Sequence, residues 1–493
     1  MFEAAEIGNA IDKKTYAAEA PKIREALLRA QIELARANLS VVILISGVEG
    51  AGKSETVNLL LEWMDARGIQ VHAMSEPTDE EMERPMAWRF WRLLPPRGRM
   101  GIFFGSWYTR PIVDRVFGRL SEAEYDRALD RIVEFERMVA DEDTLVLKFW
   151  MHLSKARQKK RLRDLESDPK TAWRVTRLDW KHFKRYDDFV GTSERALRRT
   201  STAHAPWHIV EAQDDRYRSL TVTRTLLKAL EDRIAAAKRK TAEPKPKPDM
   251  AKPAKINIIN QLDLGLSLPD KKYDKDLVGL QAEINRLTRR MYEKRRSMIV
   301  LFEGPDAAGK GGAIRRLTSC IDARQYQVIS VAAPTDEEKA QPYLWRFWRH
   351  LPRLGRITIY DRSWYGRVLV ERVEGFCRTE EWRRAYTEIN SFETQLTDFG
   401  IVVLKFWLAI SPEEQLRRFK DRETTPYKQY KITEEDWRNR AKWNAYEAAA
   451  CDMIEKTGNR AAPWILVEAN DKNFARIKVM RAVAQALKRA LKA

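Results

Sequence analysis

GVEGAGKS, Gly47–Ser54, fits the phosphate-binding pattern G-x-x-x-x-G-K-[ST] at every defined position. GPDAAGKGG, Gly304–Gly312, fits it as far as Lys310 and then puts Gly311 where the hydroxyl belongs. The run SMIVLFEG, apolar and β-branched, leads straight into the second of these loops, and AIRRLTSCID behind it has helical spacing. A glycine loop between strand and helix aims backbone N–H groups at phosphate oxygens, and the helix N-terminus adds partial positive charge. Its lysine reaches the outer phosphates. Further short apolar runs, RITIYD, IVVLKFWLAI and PWILVEA, suit strands covered on both faces. The expected fold class is α/β, with each loop in a parallel sheet wrapped by helices.

The two lysines are offset by 310 − 53 = 257, and that offset recurs. AWRFWRLLPPRGR from Ala87 answers LWRFWRHLPRLGR from Leu344, GSWYTR answers RSWYGR, and LKFW at Leu147 answers LKFW at Leu404. APWHIVEAQD and APWILVEAND answer each other near the two ends. A constant offset over so many blocks is a tandem duplication with almost no insertions. Between the copies, AAAKRKTAEPKPKPDMAKPAK (Ala235–Lys255) is rich in Pro and Lys, the composition of an extended, solvated linker. The expected division is a first copy at 1–236, a linker at 237–258 and a second copy at 259–493.

The 493 residues are 44% apolar, enough for real cores, and carry a net charge of +19, which calls for an anionic partner. Cys320, Cys377 and Cys451 have neither metal-ligand nor disulfide-like spacing. The N-terminus MFEAAEIGNAIDKKTY lacks a signal-like apolar core, and no apolar run approaches the roughly 18 residues of a membrane helix. A cytoplasmic protein without membrane contact is expected. Zinc-finger spacing, helix-turn-helix signatures and RNA-recognition aromatics are lacking, so nucleic acid is not the expected partner. A gap-free duplication keeps the surfaces of an ancestral subunit, so the first copy is expected to serve as a built-in partner domain, with a homo-oligomer left open.

Phosphoryl transfer needs a metal, and the second copy offers carboxylates for it. Asp306 lies inside the loop and Asp361 ends RITIYD. Mg²⁺ prefers hard oxygen ligands, commonly one or two carboxylates plus substrate phosphates. The alternative for Asp361 is a cap on a helix or backbone N–H. Lys310 and Arg362 would hold the donor end, with Gly304, Gly309, Gly311 and Gly312 lining the phosphate cradle. Arg418, Arg422 and Lys428 follow LKFWLAI in a polar, Pro-containing segment suited to a closing lid. Arg346, Arg367 and Arg372, beside aromatics, are candidates for the acceptor's phosphate, although the tryptophans near them read first as core. The first copy has Glu49 at the position of Asp306, but Phe104 stands for Asp361 and Gly105 for Arg362. Phenylalanine neither ligates Mg²⁺ nor takes a proton, so the irregular loop is expected to be the working one.

At GPDAAGKGG, PTDEEK, YLWRFWRHLP, YDRSWYGRVLVERV and KDRETTPYKQYKITEEDW the second copy resembles the polyphosphate kinase 2 family. The resemblance covers nearly all of both copies, in its fused two-copy form. It implies a thymidylate-kinase-like phosphate-loop fold, Mg²⁺ dependence, and transfer between inorganic polyphosphate and a nucleotide, most directly AMP to ADP. It carries phosphate or metal roles onto Asp306, Lys310, Asp361 and Arg362, and lid roles onto Arg418, Arg422, Lys428 and Lys431. An ATP-dependent nucleotide kinase, a nucleic-acid-binding protein and a non-catalytic polyanion scaffold remain the competing readings.

Overall fold

The computed structural model describes residues 1–240 and 246–492, apart from the side chains of Lys240, Tyr427, Lys428 and Lys431. The strands of the first copy are β1 (Ser40–Gly47), β2 (Ile69–Ala73), β3 (Met100–Phe104), β4 (Thr144–His152) and β5 (Trp207–Glu211). Those of the second are β6 (Ser297–Glu303), β7 (Tyr326–Ser330), β8 (Ile357–Asp361), β9 (Ile401–Ala409) and β10 (Trp464–Glu468). Every pairing is parallel, in the orders β2-β3-β1-β4-β5 and β7-β8-β6-β9-β10. The runs β1 and β6 are fully buried along SVVILI and SMIVLFE, which is why they are continuous rather than alternating. In each sheet the phosphate-loop strand sits between neighbours reached by crossovers in opposite directions. That is the switch point at which open α/β sheets bind ligands.

By its internal contacts the chain divides into two units: Met1–Pro77 with Arg89–Glu243 and Pro334–Trp345, and Thr78–Trp88 with Pro244–Ala333 and Arg346–Ala493. The helix Asp215–Lys240 runs four residues into the stretch read as linker, because Lys238 still reaches Glu33 at 2.9 Å. Residues 246–258 are without regular structure, yet Asp249 is tied down, accepting from Arg372 Nε at 2.7 Å and donating its N–H to the Arg372 carbonyl at 3.2 Å. The part of the proposed linker at 241–245 lies outside the described residues.

Each unit buries the same ion pair. Lys405 on β9 donates to Glu393 Oε2 at 2.7 Å, Tyr365 Oη at 3.0 Å and the Thr457 carbonyl at 2.8 Å. The other Glu393 oxygen accepts from Trp364 Nε1 and Tyr365 Oη. Lys148, Glu136, Trp107, Tyr108 and Thr200 repeat this network in the first copy. Both pairs are wholly buried, with every charge hydrogen-bonded, the condition under which such a pair is tolerated. In the second copy this clamps the turn that follows Asp361.

Candidate active site

The second loop begins where β6 ends. Gly304 has φ +143°, and a Cβ there would lie 2.4 Å from the Leu408 carbonyl oxygen, so only glycine fits. Gly309, also at positive φ, caps the helix Lys310–Thr318. Lys310 folds back over the loop and donates to the carbonyls of Gly304 (2.7 Å) and Pro305 (3.1 Å). A Cβ on Gly311 would meet open space, and one on Gly312 would meet the Arg476 guanidinium at 3.7 Å.

Asp306, inside the loop, is held from two sides. Arg362 Nη2 donates to one oxygen and Asn439 Nδ2 to the other, both at 2.9 Å. Burial pushes the Asp306 carboxyl up, but Lys310, Arg362 and these hydrogen bonds outweigh it, and the net shift is below the ordinary range. Arg362 sits in the left-handed region at φ +62°, a conformation costing a non-glycine residue roughly 1–2 kcal/mol. Its counterpart Gly105 adopts the same region at φ +77° as a glycine. Asp361 ends β8 opposite Phe302, and its carboxylate accepts no hydrogen bond and forms no salt bridge among the described residues. Glu303, buried at the end of β6, accepts from Ser363 Oγ at 2.8 Å. Burial raises its carboxyl to about 7, with Asp361 adding to the rise and Ser363, Lys310 and Arg362 opposing it.

Two clefts flank this loop. One is cationic: Arg418, Arg422, Lys472 and Arg476 surround Gly309 and Gly312. Arg418 is no mobile lid group. It is buried in the helix Pro412–Thr424, donating to Glu414, to the Ala307 carbonyl at 2.8 Å and to the carbonyls of Ala469 and Asn470, so it braces the loop. Burial and the neighbouring Arg418 and Arg417 lower the Lys472 ammonium, as crowded positive charge does. Lys428 and Lys431 have side chains outside the described residues. The other cleft, beyond Asp306 and Arg362, has largely apolar walls that include Leu369, Val370, Trp407 and Trp443.

The structure does not bring Arg346, Arg367 or Arg372 to either cleft. Arg346 donates to the Ala332 carbonyl, Arg367 pairs with Glu371 at 3.1 Å, and buried Arg372 is taken by Asp249, Asp452 and Tyr386 over the Trp382 ring. It adds Glu303, Asn439, Lys472 and Arg476, which motif reasoning passed over. The 257 offset carries a signal for them, since the first copy has Ser46, His182, Asp215 and Ser219 there.

The loop that obeys the consensus is differently filled. Lys53 donates to the carbonyls of Gly47 and Val48 and, at 2.9 Å, to Glu49. Lys53, with His182 also near, holds the Glu49 carboxyl down at about 2. Phe104 and Gly105 line the cleft beside it.

The fold and the loop define a tandem phosphate-loop α/β protein. The model of the family named Polyphosphate kinase 2 (PPK2) matches residues 10–238 and again 267–493, and the chain belongs to that family. It is 54% identical to a polyphosphate:AMP phosphotransferase of Pseudomonas aeruginosa over 493 residues, covering 100% of this chain and 99% of the relative. A protein of the same name from Pseudomonas syringae pv. tomato is 51% identical over 491 residues, 99% of each chain. The one from Acinetobacter johnsonii is 39% identical over 460, 91% of each. A crystal structure described as a polyphosphate kinase 2 from Pseudomonas aeruginosa PA01 superposes with a TM-score of 0.90 at 52% identity, covering 100% of this chain and 99% of that one. The family transfers phosphate between polyphosphate and nucleotides, and its phosphotransferases are generally divalent-metal dependent. No helix among the described residues is long and apolar enough to cross a membrane.

The donor set fits a metal shared with substrate rather than caged by protein. No group of three or more His, Cys, Asp or Glu side chains converges among the described residues. Asp361 offers one unengaged carboxylate, while Asp306 is already hydrogen-bonded on both oxygens. One or two carboxylates completed by phosphate oxygens and water is the usual setting of Mg²⁺.

Proposed function

We propose that the second copy transfers a terminal phosphoryl group from inorganic polyphosphate to AMP, releasing ADP and a chain one phosphate shorter. The observation that carries this is the pair of unlike clefts on either side of one phosphate loop. A polyanion without bases needs a cationic trough, which Arg422, Lys472 and Arg476 supply, with Arg418 braced behind them. A nucleotide needs apolar walls and a charged end, which the cleft between Trp407 and Arg362 supplies. At the positions of Arg418, Arg422, Lys472 and Arg476 the first copy has Arg161, Leu165, Asp215 and Ser219, and at that of Ala475 it has Arg218, which lies against Gly52.

Lys310 and the loop N–H groups hold the end of the donor chain. Arg362 spans Asp306 and the acceptor cleft, where it orients the attacking AMP phosphate in line with the phosphorus under attack. The loose transition state spreads charge over equatorial oxygens, so fixed cations around it account for most of the acceleration. Asp361, with Asp306 beside it, would hold Mg²⁺, which would supply charge neutralisation to the phosphates. Arg418 keeps the loop in shape from below.

The test is steady-state transfer from polyphosphate and, separately, from ATP to AMP, with and without Mg²⁺, in the wild type and Asp361→Asn. The expected result is Mg²⁺-dependent transfer from polyphosphate. Asp361→Asn loses it by about a thousandfold or more, some 4 kcal/mol of barrier, with its melting temperature unchanged. Preference for ATP as donor, or near-normal kcat in Asp361→Asn, overturns the assignment.

A further inference from the structure

The first copy plugs a place that the second leaves open. Phe2 lies flat on His152, ring centroids 4.5 Å apart and planes 5° from parallel, and 5.9 Å from Trp150. Both Phe2 and His152 are buried. At the 257 offset the second copy has Ile259, Ala409 and Trp407 instead. The strand register is the same, His152 pairing with Glu211 and Ala409 with Glu468, so the backbone has not moved to compensate. A ring pair in one copy is replaced by a methyl and a sec-butyl group in the other. Ile259, Ala409 and Trp407 accordingly line the second copy's cleft.

Two residues with polar groups line that cleft. Trp407 is 6% exposed, and its buried indole N–H has no hydrogen-bond partner among the described residues, as is true of Trp150 at the same position of the first copy. Glu447, which also lines the cleft, is fixed from behind by Asn257 Nδ2 at 2.8 Å and Trp443 Nε1 at 3.2 Å. Each carboxylate oxygen takes one of these bonds and keeps a further lone pair. The first copy has Val190 at this position, so the acid belongs to the copy with the open slot.

We propose that the slot between Ile259 and Trp407 over Ala409 receives the acceptor's base, and that Glu447 selects adenine by its 6-amino group. An ionised carboxylate only accepts hydrogen bonds. It therefore welcomes the adenine amino group and repels the carbonyl oxygen that guanine or uracil presents at the same edge. A site built on such a bond rejects the analogue that leaves it unpaired far more strongly than an apolar slot does. This deepens the acceptor-cleft reading above and rests on it.

The experiment measures kcat/KM for AMP, GMP, CMP and UMP with polyphosphate and Mg²⁺ in the full-length wild type, Glu447→Gln and Ala409→His. The wild type should favour AMP over GMP and UMP by at least about a hundredfold. Glu447→Gln, whose amide also donates, should shrink the AMP-to-GMP ratio about tenfold. Ala409→His rebuilds the first copy's plug and should raise KM for AMP at least about tenfold, with the KM for polyphosphate and the melting temperature unchanged. Transfer to AMP with the same base preference in wild type and Glu447→Gln overturns this proposal while leaving the phosphotransferase reading intact. Absence of transfer from polyphosphate to any monophosphate in the wild type overturns that earlier reading instead. If Ala409→His fails to fold, the base ratio of Glu447→Gln decides alone.

Discussion

The two phosphate loops have the same backbone path and opposite electrostatics. In the first, Glu49 reaches its own Lys53, four residues on, and the pair neutralises itself. In the second, the acid is one methylene shorter, and Arg362 and Asn439 draw Asp306 aside, so Lys310 forms no salt bridge among the described residues. The backbone records the same divergence. Gly50 and Gly105 occupy left-handed positions in the first copy, and Ala307 and Arg362 occupy the equivalent ones in the second. The second copy keeps a strained arginine where glycine would be relaxed. Strain of this kind persists where a side chain is needed, and the first copy has shed it. Matching the consensus sequence thus does not fix a phosphate loop's electrostatics; the partners its charges have do.

The comparison should hold where the copies are alike and fail where they differ. Its costliest break is the buried ion pair that both retain. Lys405→Met strands Glu393 and should lower stability by about 3–5 kcal/mol, and Lys148→Met should do the same beside Glu136. Urea unfolding followed by tryptophan fluorescence reads both, and unequal losses would show that the network is maintained for catalysis rather than packing. Next come the loop lysines. Lys310→Ala should lower kcat about 10²–10³-fold, or ~2.7–4 kcal/mol. Lys53→Ala should stay within about twofold, as expected away from the chemistry. Equal losses in steady-state transfer would make the two loops one functional system. The smallest effect is on stability at Arg362. Arg362→Gly removes roughly 1–2 kcal/mol of backbone strain and gives back about 0.5–1 through glycine's freedom. Its melting temperature should therefore match or slightly exceed the wild type's while transfer collapses. A drop of several degrees would mean that the Arg362–Asp306 pair is a structural bond.

The sequence alone determined the duplication, the α/β class, the position of both loops and the replacement of Asp361 and Arg362 by Phe104 and Gly105 in the first copy. Each of these is local: a period, an apolar run, a glycine spacing, a residue type that lacks an oxygen. The family is legible for the same reason, in contiguous blocks such as GPDAAGKGG and YDRSWYGR. Only the tertiary structure decided what each charge touches. Arg372 and Arg418 look alike in sequence, yet one is buried against Asp249 and Asp452 and the other braces Ala307 and Asn470. Lys405 is hidden inside an apolar strand, and its partner Glu393 lies on the helix Thr379–Asp398 before it. Lys472 and Arg476 reach the loop from the start of the last helix, more than 150 residues along the chain from Gly309. Charges act through space over a few ångströms, and a parallel sheet with crossover helices brings together residues that no short motif can contain.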